Sequence, residues 1–430
     1  MVDVTIKPTG QLSGEISAPP SKSYTHRVLI AALLSNGKSR IENYLICDDT
    51  IATLNAIRAF GAEVRVEGNY LEITGIDNLK NPKEPIDCRE SGATLRFIIP
   101  IAALAPGKTI IKMAQSLSRR PIKPLLESLR DLGVESRYFE GDSIIRIYGG
   151  RIRGGETRIR GDISSQFISG LIFACPKAET SVEINIITPL ESKNYVLMTE
   201  EVVRKHGIRV FISENFEKIN LPAPQRYSPY DHKVQGDFSS AAYVLTAAAI
   251  TSSEIRLTGL CFDTNQGDKE IVNILKQAGL KVEITREYVT ISGQIERPIE
   301  VDAKDIPDLV PACAALACYA NGISKIYNVK RLRYKESDRV ISISTELRKM
   351  GAKIFVDENC LIVRGPCEMH GAVIDPHNDH RIAMACSAAA LRAKGETRII
   401  NAECVRKSYP SFFKDLRLLG ANIIGGEFNW

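Results

Sequence analysis

The sequence predicts an α/β protein of two similar lobes, each of three βαβαββ units, arranged around a central cleft. Three observations carry that prediction. First, a phrase recurs six times: an amphipathic stretch with basic residues, then a glycine, then a strand-like run. The copies read LNAIRAFGAEV, LESLRDLGVES, TEEVVRKHGIRV, VNILKQAGLKV, STELRKMGAKI and FKDLRLLGANI. Their glycines, Gly61, Gly133, Gly207, Gly279, Gly351 and Gly420, follow one another at 72, 74, 72, 72 and 69 residues. Such a period marks repeated supersecondary units, and a glycine there suits the left-handed residue that ends a helix. Second, every unit carries another, far more apolar helix. Third, the last unit lacks a strand that the first residues of the chain can supply.

Within a unit the elements follow in order. A strand such as KTIIKMA, SVEINII, EIRLTGL or SKIYNV leads into a polar loop and then the amphipathic helix, whose Lys/Arg-rich face belongs on the surface. The glycine ends that helix, and a hairpin such as GLKVEITREYVTISG follows. The apolar helices begin near Ser23, Thr94, Gln166, Ser239, Leu309 and His380 and continue as RVLIAALL, LRFIIPIAAL, FISGLIFA, AAYVLTAAA, VPACAALACYA and RIAMACSAAAL. Helices apolar on nearly every face belong inside a core. The chain stops at GANIIGGEFNW, short of a second hairpin strand, whereas VTIKPTG near the start parallels VTISG at the end of the fourth hairpin. The N-terminal lobe is therefore expected at 14–227, and the C-terminal lobe at 1–13 with 228–430. The three prolines of LPAPQRYSPYDHK mark the second crossing.

At 430 residues the chain exceeds one typical core. Its 44% hydrophobic and 25% charged composition is that of an ordinary globular protein. No apolar run approaches the ~20 residues of a spanning helix, and MVDVTIKPTGQ has no export-signal pattern, so a cytoplasmic protein is expected. A net charge of +5, with cations in short separate clusters, suits small anions better than nucleic acid. The ten cysteines contain no C-x-x-C pair and read as buried reduced thiols; no ligand spacing among the histidines supports a metal.

Two positions in each unit gather residues that a scaffold does not need. One is the start of the apolar helix: Ser21-Lys22-Ser23, Glu90 to Thr94, Ser164-Ser165-Gln166, Gly236-Asp237, Ile306-Pro307-Asp308 and Asn378 to Arg381. Ser, Asp and Asn there are also ordinary N-caps. Lys22, Arg27 and Arg381 are not, because a cation at a helix N-terminus opposes the macrodipole unless an anion sits between them. The other position is the loop before the amphipathic helix: Arg119-Arg120-Pro121, Glu191 to Tyr195, Lys335 to Arg339 and Arg406-Lys407-Ser408. Each alone reads as a solvated surface run. Equivalence of the units would bring them together, with Asp308 and Glu336 among the cations as candidates for proton transfer. Phosphoryl transfer and transfer of a phosphate-bearing fragment are both open, but no G-x-x-x-x-G-K-[ST] loop is present.

At these residues the sequence resembles the 5-enolpyruvylshikimate-3-phosphate synthase family, in PPSKSYTHR, ESGATLR, SRRPI, SSQF, SKNY, GDFSSAA, IPDL, KESDR, NDHRIAM and RKSYPSF, in family order over nearly the whole chain. The resemblance implies transfer of the enolpyruvyl group of phosphoenolpyruvate to the 5-hydroxyl of shikimate 3-phosphate, releasing phosphate through a tetrahedral intermediate. Carried over by motif, Lys22, Ser23, Arg27, Ser164, Ser165, Gln166, Ser192, Tyr195, Asp308 and Lys335 would hold shikimate 3-phosphate. Lys22, Gly92, Arg120, Gln166, Arg339, Arg381 and Lys407 would hold phosphoenolpyruvate. Asp308 would take the hydroxyl proton, and Glu336 or Lys22 would supply and recover the methyl proton. No cofactor, metal, nucleic acid or membrane is implied, and the family suggests a monomer. Two positions depart from the common pattern: Glu90 stands where many members have Asn, and Arg331 where some place a substrate-binding Asn. The alternatives are UDP-N-acetylglucosamine enolpyruvyl transferase, whose loop cysteine has no counterpart in MAQSLSRRPIKP, and a non-catalytic anion- or RNA-binding protein.

Overall fold

The computed structural model describes residues 2–427 and divides the chain into two units, Pro20–Val234, and Met1–Pro19 with Gln235–Trp430. Each unit holds three four-stranded sheets of one plan. In the fifth repeat, for example, Glu300–Asp302 runs parallel to Gly322–Tyr327, which pairs antiparallel with Cys360–Gly365, and Ile354–Val356 closes the far edge. The six helix-ending glycines all have positive φ, between 84° and 108°, which L side chains rarely adopt.

In three repeats the hairpin ends on a second glycine that close approach requires. A Cβ on Gly75 would stand 1.9 Å from the Ala32 carbonyl oxygen, on Gly149 2.3 Å from that of Ala102, and on Gly365 2.4 Å from that of Ala320. The strand lies directly on the last turn of the apolar helix, so no side chain fits between them.

Those apolar helices, Lys22–Leu34, Gly92–Ala102, Ser165–Ala174, Phe238–Ile250, Val310–Ala317 and His380–Ala390, are the interior of the fold. Every residue of Phe238–Ile250 and of His380–Ala390 is buried. Each unit has its own continuous core, to which a fully buried Leu, Ile or Phe contributes ~1.5–3 kcal/mol. The outer helices, such as Lys193–Lys205 and Arg339–Lys349, bury one face and expose the other. The cysteines are free thiols; only Cys261 and Cys360 keep partial exposure.

The chain ends explain the crossings. Val4–Ile6 lies between Thr397–Ile399 and Ile423–Gly425, antiparallel to both, where other repeats place their own second hairpin strand. Beyond it the structure differs from the sequence boundaries of 14–227 and 228–430. Ser13–Ser17 pairs parallel with Glu254–Thr258 in the C-terminal unit, and His232–Lys233 pairs parallel with Gly37–Glu42 in the N-terminal unit. Each crossing strand thus serves the repeat of the unit it is leaving. Sequence pattern missed this because both strands precede an apolar helix, and adjacency in sequence assigned each to that helix.

Candidate active site

In the N-terminal unit, Ser21 caps the Lys22–Leu34 helix, accepting from Tyr24 N. Lys22 thereby occupies the first turn, and its Nζ lies 2.9 Å from Asp49 Oδ2 at the start of the Asp48–Ala59 helix. Arg27, only 2% exposed, donates from Nε to Thr199 Oγ1 (2.8 Å), from Nη1 to Ser23 O (2.8 Å) and from Nη2 to Tyr195 O (2.9 Å). The Phe97 and Tyr195 rings stand 5.3 and 5.7 Å from its guanidinium carbon. Burial pulls this guanidinium down to about 10, with Tyr195 and Tyr24 opposing, so it remains a cation at neutral pH. Ser192 is buried in a left-handed conformation, φ 56°, and leads into the helix that carries Tyr195.

Gly92 opens the next apolar helix behind the capping residue Ser91. A Cβ there would stand 3.2 Å from Nη1 of both Arg96 and Arg120, so the glycine leaves room for two guanidinium groups at a helix N-terminus. Arg96 Nη1 also donates to Gln166 Oε1 at 2.6 Å. Gln166 lies in the first turn of the Ser165–Ala174 helix, whose cap, Ser164, accepts from Gln166 N at 3.3 Å. Two arginines and two helix N-termini at one place form a site for an anion.

In the C-terminal unit the hub is Arg339, 1% exposed. Its Nη1 reaches Asp308 Oδ1 at 2.6 Å, its Nη2 reaches Glu336 Oε2 at 2.5 Å, and its Nε reaches Asp379 Oδ2 at 2.8 Å. Asp379, fully buried, caps the His380–Ala390 helix by accepting from Arg381 N at 3.0 Å. Arg381 Nη2 then lies 3.1 Å from Asp308 Oδ2, Lys335 Nζ lies 3.8 Å from Asp308 Oδ1, and Lys407 Nζ donates to Asn378 O at 2.6 Å. Burial alone would raise the Asp308 carboxyl, but Arg381, Lys335 and Arg339 outweigh it and the repulsion from Glu336, and hold it well below the usual carboxylate range. Burial, with Arg331 and Arg339 nearby, pushes Lys335 down to about 8 against the pull of Asp308 and Glu336. Its side chain keeps 29% exposure, and water works against that shift.

The structure therefore gathers Lys22, Ser23, Arg27, Ser192 and Tyr195, and separately Gly92, Arg120, Ser164, Ser165 and Gln166, in the N-terminal unit. It gathers Asp308, Lys335, Glu336, Arg339, Arg381 and Lys407 in the C-terminal unit. Sequence reasoning passed over Arg96 and Asp49, and it read Asp379 only as one of the possible N-caps, without its pairing to Arg339. Arg96 and Asp379 stood inside quoted motifs, and their spacing from Gly92 and Arg381 on one helix turn was the available signal. Asp49 offered none beyond its place in a first helical turn. Glu90 turns to Ser116, whose hydroxyl donates to its Oε1 at 2.8 Å, and Arg331 Nη2 donates to Lys304 O at 2.9 Å.

The family model for EPSP synthase (3-phosphoshikimate 1-carboxyvinyltransferase) matches residues 6–416. The chain belongs to the EPSP synthase family. Among curated relatives, the 3-phosphoshikimate 1-carboxyvinyltransferase of Methanocaldococcus jannaschii is 40% identical over 97% of this chain and 98% of its own length. The protein of the same name from Methanocella arvoryzae is 43% identical over 95% and 97%. Among solved structures, EPSP synthase from Acinetobacter baumannii superposes with a TM-score of 0.82 at 25% identity, over 99% of this chain and 100% of that one. The enolpyruvyl transferase NikO from Streptomyces tendae shares the fold, with a TM-score of 0.79 at 20% identity over 99% and 98%. These matches fall on the family that the sequence motifs resemble, not on either alternative to it.

Proposed function

We propose that the protein transfers the enolpyruvyl group of phosphoenolpyruvate to the 5-hydroxyl of shikimate 3-phosphate, releasing phosphate. Beyond family membership, one observation carries this reading: Asp308 and Glu336 are held by one guanidinium, with Arg381 and Lys335 also on Asp308. A binding protein needs the cations but not two carboxylates drawn into the same cage.

In the N-terminal unit, Lys22, Ser23, Arg27, Ser164, Ser165, Gln166, Ser192 and Tyr195 would hold shikimate 3-phosphate, and Lys22, Gly92, Arg120 and Gln166 phosphoenolpyruvate. In the C-terminal unit, Asp308 and Lys335 would serve the former and Arg339, Arg381 and Lys407 the latter. Protonation of the methylene carbon makes C2 of phosphoenolpyruvate electrophilic. The 5-hydroxyl attacks C2 as Asp308 takes its proton. The tetrahedral intermediate then loses phosphate as a methyl proton returns to the enzyme. Asp308 alone is a weak base, because three cations hold its charge. Substrate phosphates and the carboxylate would draw on those same cations and return basicity to Asp308 when both ligands are bound. Glu336 and Lys22 are the candidates for the methyl proton. The cations would stabilise the charge that develops on phosphate as it leaves.

The protein would act on these small molecules as a cytoplasmic monomer. No helix among the described residues is long and apolar enough to cross a membrane. The test is phosphate release from phosphoenolpyruvate with and without shikimate 3-phosphate. Release that depends on shikimate 3-phosphate supports the reading; release only with UDP-N-acetylglucosamine, or none, sinks it. Glu336→Gln and Lys22→Met, assayed for solvent deuterium entering the product methylene, separate the two candidates for the methyl proton.

A further inference from the structure

Asp268 is a buried carboxyl that the reaction above does not use. It sits in the Gly267–Glu270 turn that leads into the outer helix of the fourth repeat, and it is 3% exposed. Ser239 Oγ bonds its Oδ2, while its Oδ1 has no hydrogen-bond partner among the described residues. An ionised carboxylate buried with one hydroxyl as its hydrogen-bond partner is disfavoured against its neutral form. Below neutrality Asp268 therefore carries a proton, and its contact with Ser239 is then a carboxylic acid–hydroxyl pair.

What makes this acid consequential is the helix it leans on. Ser239 and Tyr243 are one turn apart on the same face of the Phe238–Ile250 helix. Ser239 holds Asp268, and Tyr243 Oη donates to Asp308 O at 3.1 Å. Arg381 Nη1 lies 3.4 Å from that same carbonyl, and its Nη2 is the one that pairs with the Asp308 carboxylate. The charged and titratable groups facing Asp268 are Asp237 from the cap of that helix, Asp308, Arg381 from the His380–Ala390 helix, and Cys313 from the Val310–Ala317 helix. Its neighbour Lys269 turns away, donating to Phe262 O and Thr264 O. Burial first and the Asp308 charge second push the Asp268 carboxyl up to about 7, against Arg381 and Ser239.

We propose that Asp268 is a positioning residue that acts through Arg381. Protonated, it leaves the Arg381 charge to Asp308 and to a substrate anion; ionised, it competes for that charge and loosens the anion. The inference rests on the assignment of Arg381 to phosphoenolpyruvate. It predicts that the KM for phosphoenolpyruvate rises with pH through neutrality while kcat changes little. Asp268→Asn, of the same shape but unable to ionise, removes that rise.

The experiment measures kcat and KM for phosphoenolpyruvate between pH 6 and 9 in the wild type and in Asp268→Asn. Taking the ratio of the two KM values cancels the substrate's own ionisation. The ratio is expected to climb by about 5-fold or more, the small end of coupling between sites. A constant ratio overturns the proposal. Thermal melting tests the proton itself without any substrate. The folded form of the wild type binds a proton that the unfolded chain releases above about pH 4, so its stability from this group falls as pH rises toward 7. Asp268→Asn should therefore gain in melting temperature relative to the wild type between pH 5 and 8. That gain with a constant KM ratio overturns the link to Arg381 and leaves the proposed function standing; absence of shikimate-dependent phosphate release in the wild type removes the function instead. Should Asp268→Asn fail to fold, Ser239→Ala replaces it: with the hydroxyl gone the acid holds its proton more firmly, and the rise in KM should move to higher pH. A rise left where it was overturns the proposal.

Discussion

Replacing Arg339 by methionine keeps an unbranched stem and removes the guanidinium with its charge and all its donors. Asp308, Glu336 and Asp379 then face one another without the guanidinium that holds them 2.6, 2.5 and 2.8 Å away. Removing one partner of a buried ion network costs about 3–5 kcal/mol. Asp379 is fully buried, which points to the upper part of that range, whereas the Asp308 and Glu336 side chains keep 14% and 18% exposure and draw some relief from water. About 4 kcal/mol is the working figure, and at roughly 2–4 °C per kcal/mol it lowers the melting temperature by about 8–16 °C. The assay is calorimetry or circular dichroism at pH 7.5, repeated at lower pH. In the wild type the Asp308 carboxyl is depressed on folding, so its stabilising contribution is present above about pH 4 and fades as pH falls toward the folded value. Arg339→Met weakens that contribution, so the gap between the two proteins should narrow as pH drops below 4. A variant that melts within 2 °C of the wild type at pH 7.5 would refute the view that Arg339 holds the cage together.

Three other outcomes follow from the same geometry. Asp308→Asn should lower turnover by about 10²–10⁴-fold, the range for a lost general base, and should also lower the melting temperature at pH 7.5, because it removes the carboxylate charge that Arg339, Arg381 and Lys335 share; turnover within a few-fold of wild type removes the catalytic role. Gly92→Ala adds a Cβ 3.2 Å from two guanidinium nitrogens, and should raise the KM for phosphoenolpyruvate by about tenfold, or ~1.4 kcal/mol, while leaving melting within 2 °C. His206 and His232 form a buried pair with their Nε2 atoms 2.9 Å apart, and burial pulls them down to about 4 and about 3. Both are neutral when folded and charge on unfolding below about pH 6.5, so stability falls as pH drops from 6.5 toward 4, by about 3 kcal/mol from His206 alone. His206→Gln should flatten that dependence in thermal melts, and an equally steep profile would argue against it.

The sequence by itself determined the repeat, the division of each unit into a buried and a surface helix, and most of the charged residues of the site. Those features are local: a glycine every ~72 residues ends a helix in a conformation only glycine adopts freely, and an all-apolar helix has nowhere to go but a core. Position likewise singled out Lys22, Arg27 and Arg381, because cations at helix starts are costly unless an anion meets them, and Asp308 and Glu336 as acids set among those cations. Tertiary structure decided what depends on partners distant in the chain. Ser13–Ser17 and His232–Lys233 each pair with a strand of the unit that the chain is leaving, and short strands carry too little pattern to choose a neighbour. The charge state of a carboxyl depends on the same long-range packing. Asp308 is partly buried and Asp268 fully, 40 residues apart, yet three cations hold the first ionised while burial and the Asp308 charge push the second up to about 7.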